Sequence, residues 1–478
     1  MSIVYEVCTG APLPRILPEE AGVRAEWVEG MVRAYEQKGL RIHSFLLVRD
    51  GRVYAEGYYS PFDRAQYQTV YSLSKSFTSA AMGLAESEGI LSLDERVADL
   101  FQAEVESAGV QPGPQLERLT LRHLLRMSTG QPQERMGEDL IRTFLSVPFT
   151  DMPGEVFRYN TMATYMCAAA LKKHGVDLEA YLQEKVFDPM GIRGLHWMRT
   201  DADICTGGYG LSILPEVIAK FGVLILQDGV WEGKRLLPGD YLRQATSRQI
   251  DNSNHGGGKD WMAGYGYQFW MCENGSFRGD GMYGQLCVMN REKNAVLAMT
   301  AFVDDIQAEL SVYFDEVLSK MQDRALDVDA QASARLRRTL EGLSCMLEPV
   351  PDEGGEAPSS LLGRDIRLDE DTVRLTQEGS YLYIHSSMSE EPFMAARGRL
   401  YGRVTPCTLH MGCARLNPVT RVFAGYGMQG GALVLRLFIP EALIDMRLEL
   451  REGPEGVALC AYDVHNPAKP VRMDGENA

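Results

Sequence analysis

The 478-residue chain has little that would take it into a membrane or onto a polyanion. No run approaches eighteen uninterrupted apolar residues, so no bilayer-spanning helix is expected. Lys and Arg number 48 against 65 Asp and Glu, and no basic run offsets the net charge of −17. That balance argues against nucleic acid and anionic membrane as partners. There are only eight histidines, and the two nearest in sequence, His174 and His196, are too far apart to share a helix face as ligands. A zinc site is therefore not expected, and the chemistry read below implies neither a metal nor an organic cofactor. Cys8, Cys167, Cys205, Cys272, Cys287, Cys345, Cys407, Cys413 and Cys460 are odd in number, scattered and mostly in apolar surroundings. They read as reduced thiols of a cytoplasmic protein. Residues 1–8 have neither a basic start nor a long apolar stretch, so no export signal is expected. The GxSxG signature of one large group of serine hydrolases is missing, and no short-period repeat is present.

What the chain does contain is Ser72-Leu73-Ser74-Lys75, at the point where a short β-like run tips into a helix. Positions i and i+3 share a helix face, so the Ser72 hydroxyl and the Lys75 amine can meet at hydrogen-bond distance. A serine hydroxyl becomes a useful nucleophile when a neighbour takes its proton, and a lysine can do so once burial lowers its pKa. Leu73, Phe77, Ala80, Ala81 and Leu84 form an apolar stripe for packing, Ser72, Lys75 and Ser79 lie on another side, and Gly89 ends the helix. Ser72 is the only serine with a lysine at this spacing. His123, between leucines on a helix capped by Thr120, has no acid placed to orient it and reads as structural.

The length exceeds what one hydrophobic core usually spans. Residues 20–37 read as an amphipathic helix, and residues 43–49 and 52–59 as strands joined at Asp50-Gly51. Residues 91–254 are helical and loop-rich. Strands are expected again at 264–272, 285–290 and 295–302, and helices at 308–321 and 330–347. This order implies an α/β (α+β) fold in which an antiparallel sheet, flanked by helices, is built from both ends of the segment around an inserted helical lobe. The expected units are a domain over 1–349, with its sheet lobe at 1–71 and 260–325 and its helical lobe at 90–255, then a linker over 350–360. Residues 361–478 are expected to form a small antiparallel β domain, with strands at 372–375, 381–385, 422–428, 433–439, 444–450 and 457–464 and turns that include Gly453-Pro454. A cleft should lie where the first two lobes meet.

Two more stretches bear on chemistry. Pro153-Gly154-Glu155-Val156-Phe157-Arg158-Tyr159-Asn160-Thr161 brings a tyrosine whose phenol, beside a lysine ammonium, should ionise more easily than usual. Phe277-Arg278-Gly279-Asp280-Gly281-Met282-Tyr283-Gly284-Gln285 is a glycine-rich turn running into a strand, where backbone can approach a ligand and an N–H can bind an oxyanion. It also satisfies GxGxxG, but a strand follows where a dinucleotide site needs a helix.

SxxK at Ser72, the PGxxFxYN-like stretch through Tyr159 and the YGQ of residues 283–285 resemble, in order and spacing, the motifs of the class C β-lactamase-like serine hydrolases. That family includes penicillin-binding proteins, esterases, D-amino-acid peptidases and 6-aminohexanoate-dimer hydrolases. Leu119 to Gly130 and Gly207-Gly208-Tyr209-Gly210-Leu211-Ser212 also resemble family landmarks, so the likeness spans about residues 15–322. The resemblance implies Ser72 as acylated nucleophile, Lys75 as proton acceptor, Tyr159 as second acid/base, and an oxyanion hole from the backbone N–H groups of Ser72 and Gln285. It places Asn160, Thr161, Met282, Tyr283 and Gly284 at the substrate. Thr161 stands where the family has asparagine, and Met282-Tyr283-Gly284 where it has Lys-Thr-Gly. Methionine cannot supply the cation that a carboxylate-bearing β-lactam or peptide meets there, although Arg278 is close enough in sequence to restore one. The implied activity is hydrolysis of a small-molecule ester or amide through an acyl-enzyme. A β-lactamase or DD-peptidase, or a non-turnover ligand sensor or scaffold, is the alternative; homo-oligomerisation is left open.

Overall fold

The computed structural model describes residues 8–111, 113–345, 347, 349–368, 371–411, 414–416, 419–453, 456–463 and 471–474. The expectations placed on residues 1–7, Cys413, Pro454 and Val464 lie outside the described residues.

The central sheet has six antiparallel strands in the order Trp270–Met271, Phe277–Gly281, Gln285–Asn290, Ala295–Phe302, Arg41–Arg49 and Arg52–Tyr58. Strands from the two ends of the segment meet where Ala295–Phe302 pairs with Arg41–Arg49, Leu297 facing Leu47. Successive side chains of a strand point to opposite faces. Here Phe45 and Leu47 enter one core, with Leu297, Met299, Leu310 and Tyr313, while Leu46 and Val48 enter another, with Met289, Val296 and Phe221. Both faces are covered, so the strand Arg41–Arg49 is buried from Ile42 to Val48 and its run Phe45–Val48 is apolar without alternation. The first face carries helices Ala25–Gln37, Ile306–Glu316 and Ala330–Glu341; the second carries Pro215–Leu226 and, beyond it, the helical lobe.

Several expected elements shift. The first helix starts at Ala25, because Gly22 takes a left-handed φ of 72° and ends the short turn Pro18–Ala21. The expected strand at 264–272 shrinks to Trp270–Met271, and a strand Phe277–Gly281 occupies most of what read as a turn.

After the helix Ala330–Glu341 the chain enters a ten-stranded sheet built from Asp365 to Asp474. It is antiparallel except where Ser389–Arg397 runs parallel to Val419–Gln429, and Tyr401–Pro406 pairs with that same strand. Residues 350–360, expected as a linker, are tied to this sheet: Glu353 N–H donates to Met428 O at 2.8 Å, and Asp352 pairs with Arg397 at 2.8 Å. The sheet packs on the rest of the molecule through one continuous apolar cluster that also holds Phe77 and Leu211.

Candidate functional site

Ser72 sits in the 3₁₀ turn Tyr71–Leu73, immediately before the helix Ser74–Ser87. That helix is buried from Ser74 to Ala85, so its polar side chains need internal partners. Ser76 Oγ donates to Gln268 O at 2.8 Å, Ser79 Oγ to Tyr267 O at 2.7 Å, and Thr78 Oγ1 to Gly207 O at 2.8 Å. The polar side of the helix is thus an anchoring surface as well as the carrier of Lys75.

Lys75 Nζ donates to Ser72 Oγ at 2.9 Å, to Gly208 O at 2.7 Å and to Thr161 Oγ1 at 3.4 Å. The residue is 2% exposed. Burial pulls its pKa down to about 7, against the opposing pull of Glu134 and Asp280. The Gly208 carbonyl, in a stretch read only as a landmark, is thus a direct partner of the amine. Gly208 lies so close to Thr161 that a β-carbon would overlap its side chain.

Tyr159 lies over the same amine, with Lys75 Nζ 4.9 Å from its ring centroid, and its phenol is beside Ser72. Trp270 stacks on its ring, centroids 5.4 Å apart. The three side chains expected to trade a proton are together. The expected easy ionisation of the phenol is not found: desolvation is the largest effect, the charge of Asp280 adds to it, Ser72 does not offset them, and the pKa lies far above its ordinary value. Tyr159 is a hydrogen-bond donor at neutral pH.

The expected substrate-binding residues divide. Thr161 is beside Lys75, and its N–H donates to Glu134 Oε2 at 2.6 Å. Asn160 is not available: it is 2% exposed, its Oδ1 caps the helix Thr161–Lys173 by accepting from Met162 N–H (3.0 Å) and Ala163 N–H (3.2 Å), and its Nδ2 donates to Gln131. Met282 is 55% exposed at the tip of the hairpin between Phe277–Gly281 and Gln285–Asn290. Tyr283 stacks on Phe302 at 4.2 Å and meets Tyr71 edge-on at 5.6 Å. Gly284, at φ 86°, leaves room for the carboxyl of Glu309, which is buried without a hydrogen-bond partner among the described residues.

Arg278 does not restore a substrate-facing cation. It is fully buried, bonds Asp280 at 3.0 Å and Asp260 O at 2.8 Å, and its guanidinium lies 4.2 Å from the Trp261 ring centroid. Gly279 and Gly281 serve a close approach of backbone to protein rather than to ligand. A β-carbon on Gly279 would overlap Ser76 and Leu73, and one on Gly281 would overlap the Val70 carbonyl. The strand lying against the turn of Ser72 is therefore Phe277–Gly281. Gln285 pairs with Gly281 across the hairpin, and its Nε2 donates to Ala301 O at 2.6 Å.

His123 is structural, as expected: Thr120 N–H donates to its Nδ1 at 3.1 Å in a capping box on the helix Leu121–Leu125. Sequence reasoning gave no role to Glu134 or Asp280, the two carboxylates that set the charge around Lys75. Asp280 was visible within the glycine-rich motif; Glu134, in a loop, carries no local signal. Among the described residues no group of three or more His, Cys, Asp or Glu side chains is disposed to hold a metal ion, and no helix is long and apolar enough to cross a membrane.

The sequence model of the Beta-lactamase family matches residues 26–304, more than half of the chain. No curated protein sequence matches it. Among solved structures, one described as a 6-aminohexanoate-dimer hydrolase from Bacillus anthracis is similar with a TM-score of 0.52 at 18% identity, over 64% of this chain and 87% of that one. EstCE1, described as a hydrolase with promiscuous acyltransferase activity, has a TM-score of 0.50 at 17% identity, over 62% of this chain and 99% of its own. At these identities the structural likeness speaks for the fold, while the sequence match covers the stretch that holds Ser72, Lys75, Tyr159 and the glycine-rich hairpin. The chain belongs to the Beta-lactamase family, among its class C β-lactamase-like serine hydrolases.

Proposed function

We propose that this protein hydrolyses an ester or amide bond of a small molecule through an acyl-enzyme on Ser72. The observation that carries the reading is the buried Lys75 amine, with its pKa drawn down to about 7, hydrogen-bonded to the Ser72 hydroxyl at 2.9 Å. In the neutral form its lone pair takes the proton as Ser72 Oγ bonds to the substrate carbonyl carbon. The resulting oxyanion collapses, the carbon-to-leaving-group bond breaks, and the proton on Lys75 passes to the leaving group through the Tyr159 hydroxyl. Water then attacks the acyl carbon, gives its proton back along the same path, and the Ser72 oxygen leaves reprotonated as the carboxylic acid departs.

Oxyanion stabilisation needs donors fixed before charge develops. Ser72 N–H lies in the turn that opens a fourteen-residue helix, whose dipole favours negative charge there. The second donor we assign to Met282 N–H in place of Gln285, because Met282 directly follows the strand Phe277–Gly281 packed on the turn of Ser72. Gly281→Ala is then expected to push that strand away, lowering turnover by about 10²-fold while destabilising the fold by about 1–3 kcal/mol. Turnover and thermal unfolding of one preparation check it.

The ester or amide reading is preferred to a β-lactamase or DD-peptidase because Arg278 is committed to Asp280 and Asp260. The free cysteines among the described residues fit a reducing compartment such as the cytoplasm. The test is intact-mass spectrometry during incubation with p-nitrophenyl acetate, alongside turnover of short-chain esters, D-amino-acid amides and nitrocefin. The expected result is a transient acetyl adduct on the peptide containing Ser72, with ester or amide turnover exceeding that of nitrocefin. A stable adduct would make the protein a sensor, and no adduct at all a scaffold.

A further inference from the structure

We propose that the turn Pro440–Ala442 of the C-terminal β sheet is a positioning element for Ser72, acting through Tyr71. The proposal rests on Ser72 being the acylated nucleophile. It assigns a role in the reaction to the C-terminal unit.

Three contacts run from that turn, two to the segment that leads to Ser72 and one to the strand paired with it. Gln68 Nε2 donates to Pro440 O at 3.0 Å, and Tyr71 Oη donates to Ala442 O at 3.2 Å. Ser212 Oγ donates to Glu441 Oε1. Glu441 is 1% exposed, and its other carboxylate oxygen is buried without a hydrogen-bond partner among the described residues. Ser212 and Gln68 belong to one small sheet, in which Gln68 faces Ile213 and Thr69 faces Ser212; Val70 N–H continues the pairing by donating to Leu211 O at 2.8 Å. The turn therefore clamps both strands of the ladder that delivers the chain to Ser72.

Tyr71 makes this clamp matter for chemistry. It adopts φ 45°, a left-handed conformation that a bulky residue holds only when its surroundings impose it. Its carbonyl accepts from Ser74 Oγ at 2.6 Å, its ring meets Tyr283 of the hairpin tip edge-on, and its hydroxyl reaches Ala442. One residue thus connects the nucleophile's turn, the tip that carries Met282 and the C-terminal unit. Deleting the hydroxyl removes the outer anchor. The backbone at Tyr71 can then relax towards negative φ, rotating Ser72 Oγ away from Lys75 Nζ, and misplacement of about 1 Å is costly in an acyl transfer.

The experiment uses the full chain and p-nitrophenyl acetate as probe, comparing wild type with Ser72→Ala, Tyr71→Phe, Glu441→Ala, Glu441→Gln and, as a control at an exposed ion pair of the same sheet, Arg374→Ala. Tyr71→Phe and Glu441→Ala are expected to lower the acylation rate about tenfold with KM within about twofold. Glu441→Gln, whose amide oxygen still accepts from Ser212, is expected to recover most of the loss, and Arg374→Ala to match wild type. Wild-type acylation by folded Tyr71→Phe and Glu441→Ala, with Ser72→Ala inactive, would overturn the positioning role and leave the hydrolase reading intact. Acylation surviving in Ser72→Ala would overturn the hydrolase reading itself. If Glu441→Ala does not fold, Tyr71→Phe decides, since it removes one oxygen and keeps the ring.

Discussion

Ser72→Ala is expected to lower ester hydrolysis by about 10⁴-fold or more, with substrate affinity and thermal unfolding close to wild type. The affected atom lies in a turn whose backbone contacts survive the change, and alanine suits the start of a helix well enough to leave the packing of Leu73 and Phe77 intact. Neighbouring hydroxyls cannot take over. Ser74 Oγ donates to Tyr71 O and accepts from Leu211 N–H, and Ser76 Oγ is held by Gln268 O. Both are buried in the anchoring of the helix, whereas Ser72 has its oxygen between the Lys75 amine and the Tyr159 phenol. What remains in the variant is binding and oxyanion stabilisation of a water attack, which alone gives slow turnover. Steady-state rates on a preparation checked by mass for wild-type carry-over decide the matter, and hydrolysis within tenfold of wild type would move the nucleophile elsewhere.

How far the site was legible in the sequence depended on the range of the interaction. Ser72 with Lys75 is a local relation, fixed by helical spacing, and the chain folds it as the spacing says even though Ser72 itself is on a 3₁₀ turn. Asn160 was misread because a residue before a helix serves the helix first; its carboxamide is consumed by two orphan N–H groups, a rule readable from its position before Thr161. Arg278 was misread, and its partner Asp280 passed over, for a different reason. On a strand, i and i+2 share a face, so the pair neutralises itself, but this became visible only once residues 277–281 proved to be strand rather than turn. Gly279 and Gly281 hid the strand, since glycine has low strand propensity and its role, contact with Val70 and Ser76, is fixed by residues some two hundred positions earlier. The same distance concealed the Tyr71 to Ala442 contact. In the C-terminal sheet, Tyr401–Pro406 escaped notice because it is a polar, partly exposed strand, and Ser389–Arg397 because its polar first half and Pro392 leave an apolar run of only four residues.

Activity is expected to rise with pH through an inflection near 7, and this profile separates two ways of running the chemistry. Lys75 must be neutral to accept the Ser72 proton. Its pKa is drawn down to about 7 by burial, so below that value each pH unit should cost about tenfold in kcat/KM, and above it the rate should level off. Were the Tyr159 phenolate the base, the raised phenol pKa would keep the rate climbing through the alkaline range. Lys75→Ala is expected to lose about 10³-fold and the inflection with it, and Lys75→Arg, which stays protonated, should not recover the activity. The carboxylates supply the sign test. Glu134 and Asp280 both favour the charged amine, and Glu134 is exposed enough to change without disturbing the core. In Glu134→Gln the oxygen that accepts from Thr161 N–H is kept while the negative charge is removed. The ammonium then loses part of its stabilisation, the Lys75 pKa falls further, and the inflection should move to lower pH, leaving the variant faster than wild type below pH 7 and equal to it above. An inflection that stays put in Glu134→Gln and persists in Lys75→Ala would assign the titration to another group and take the base away from Lys75.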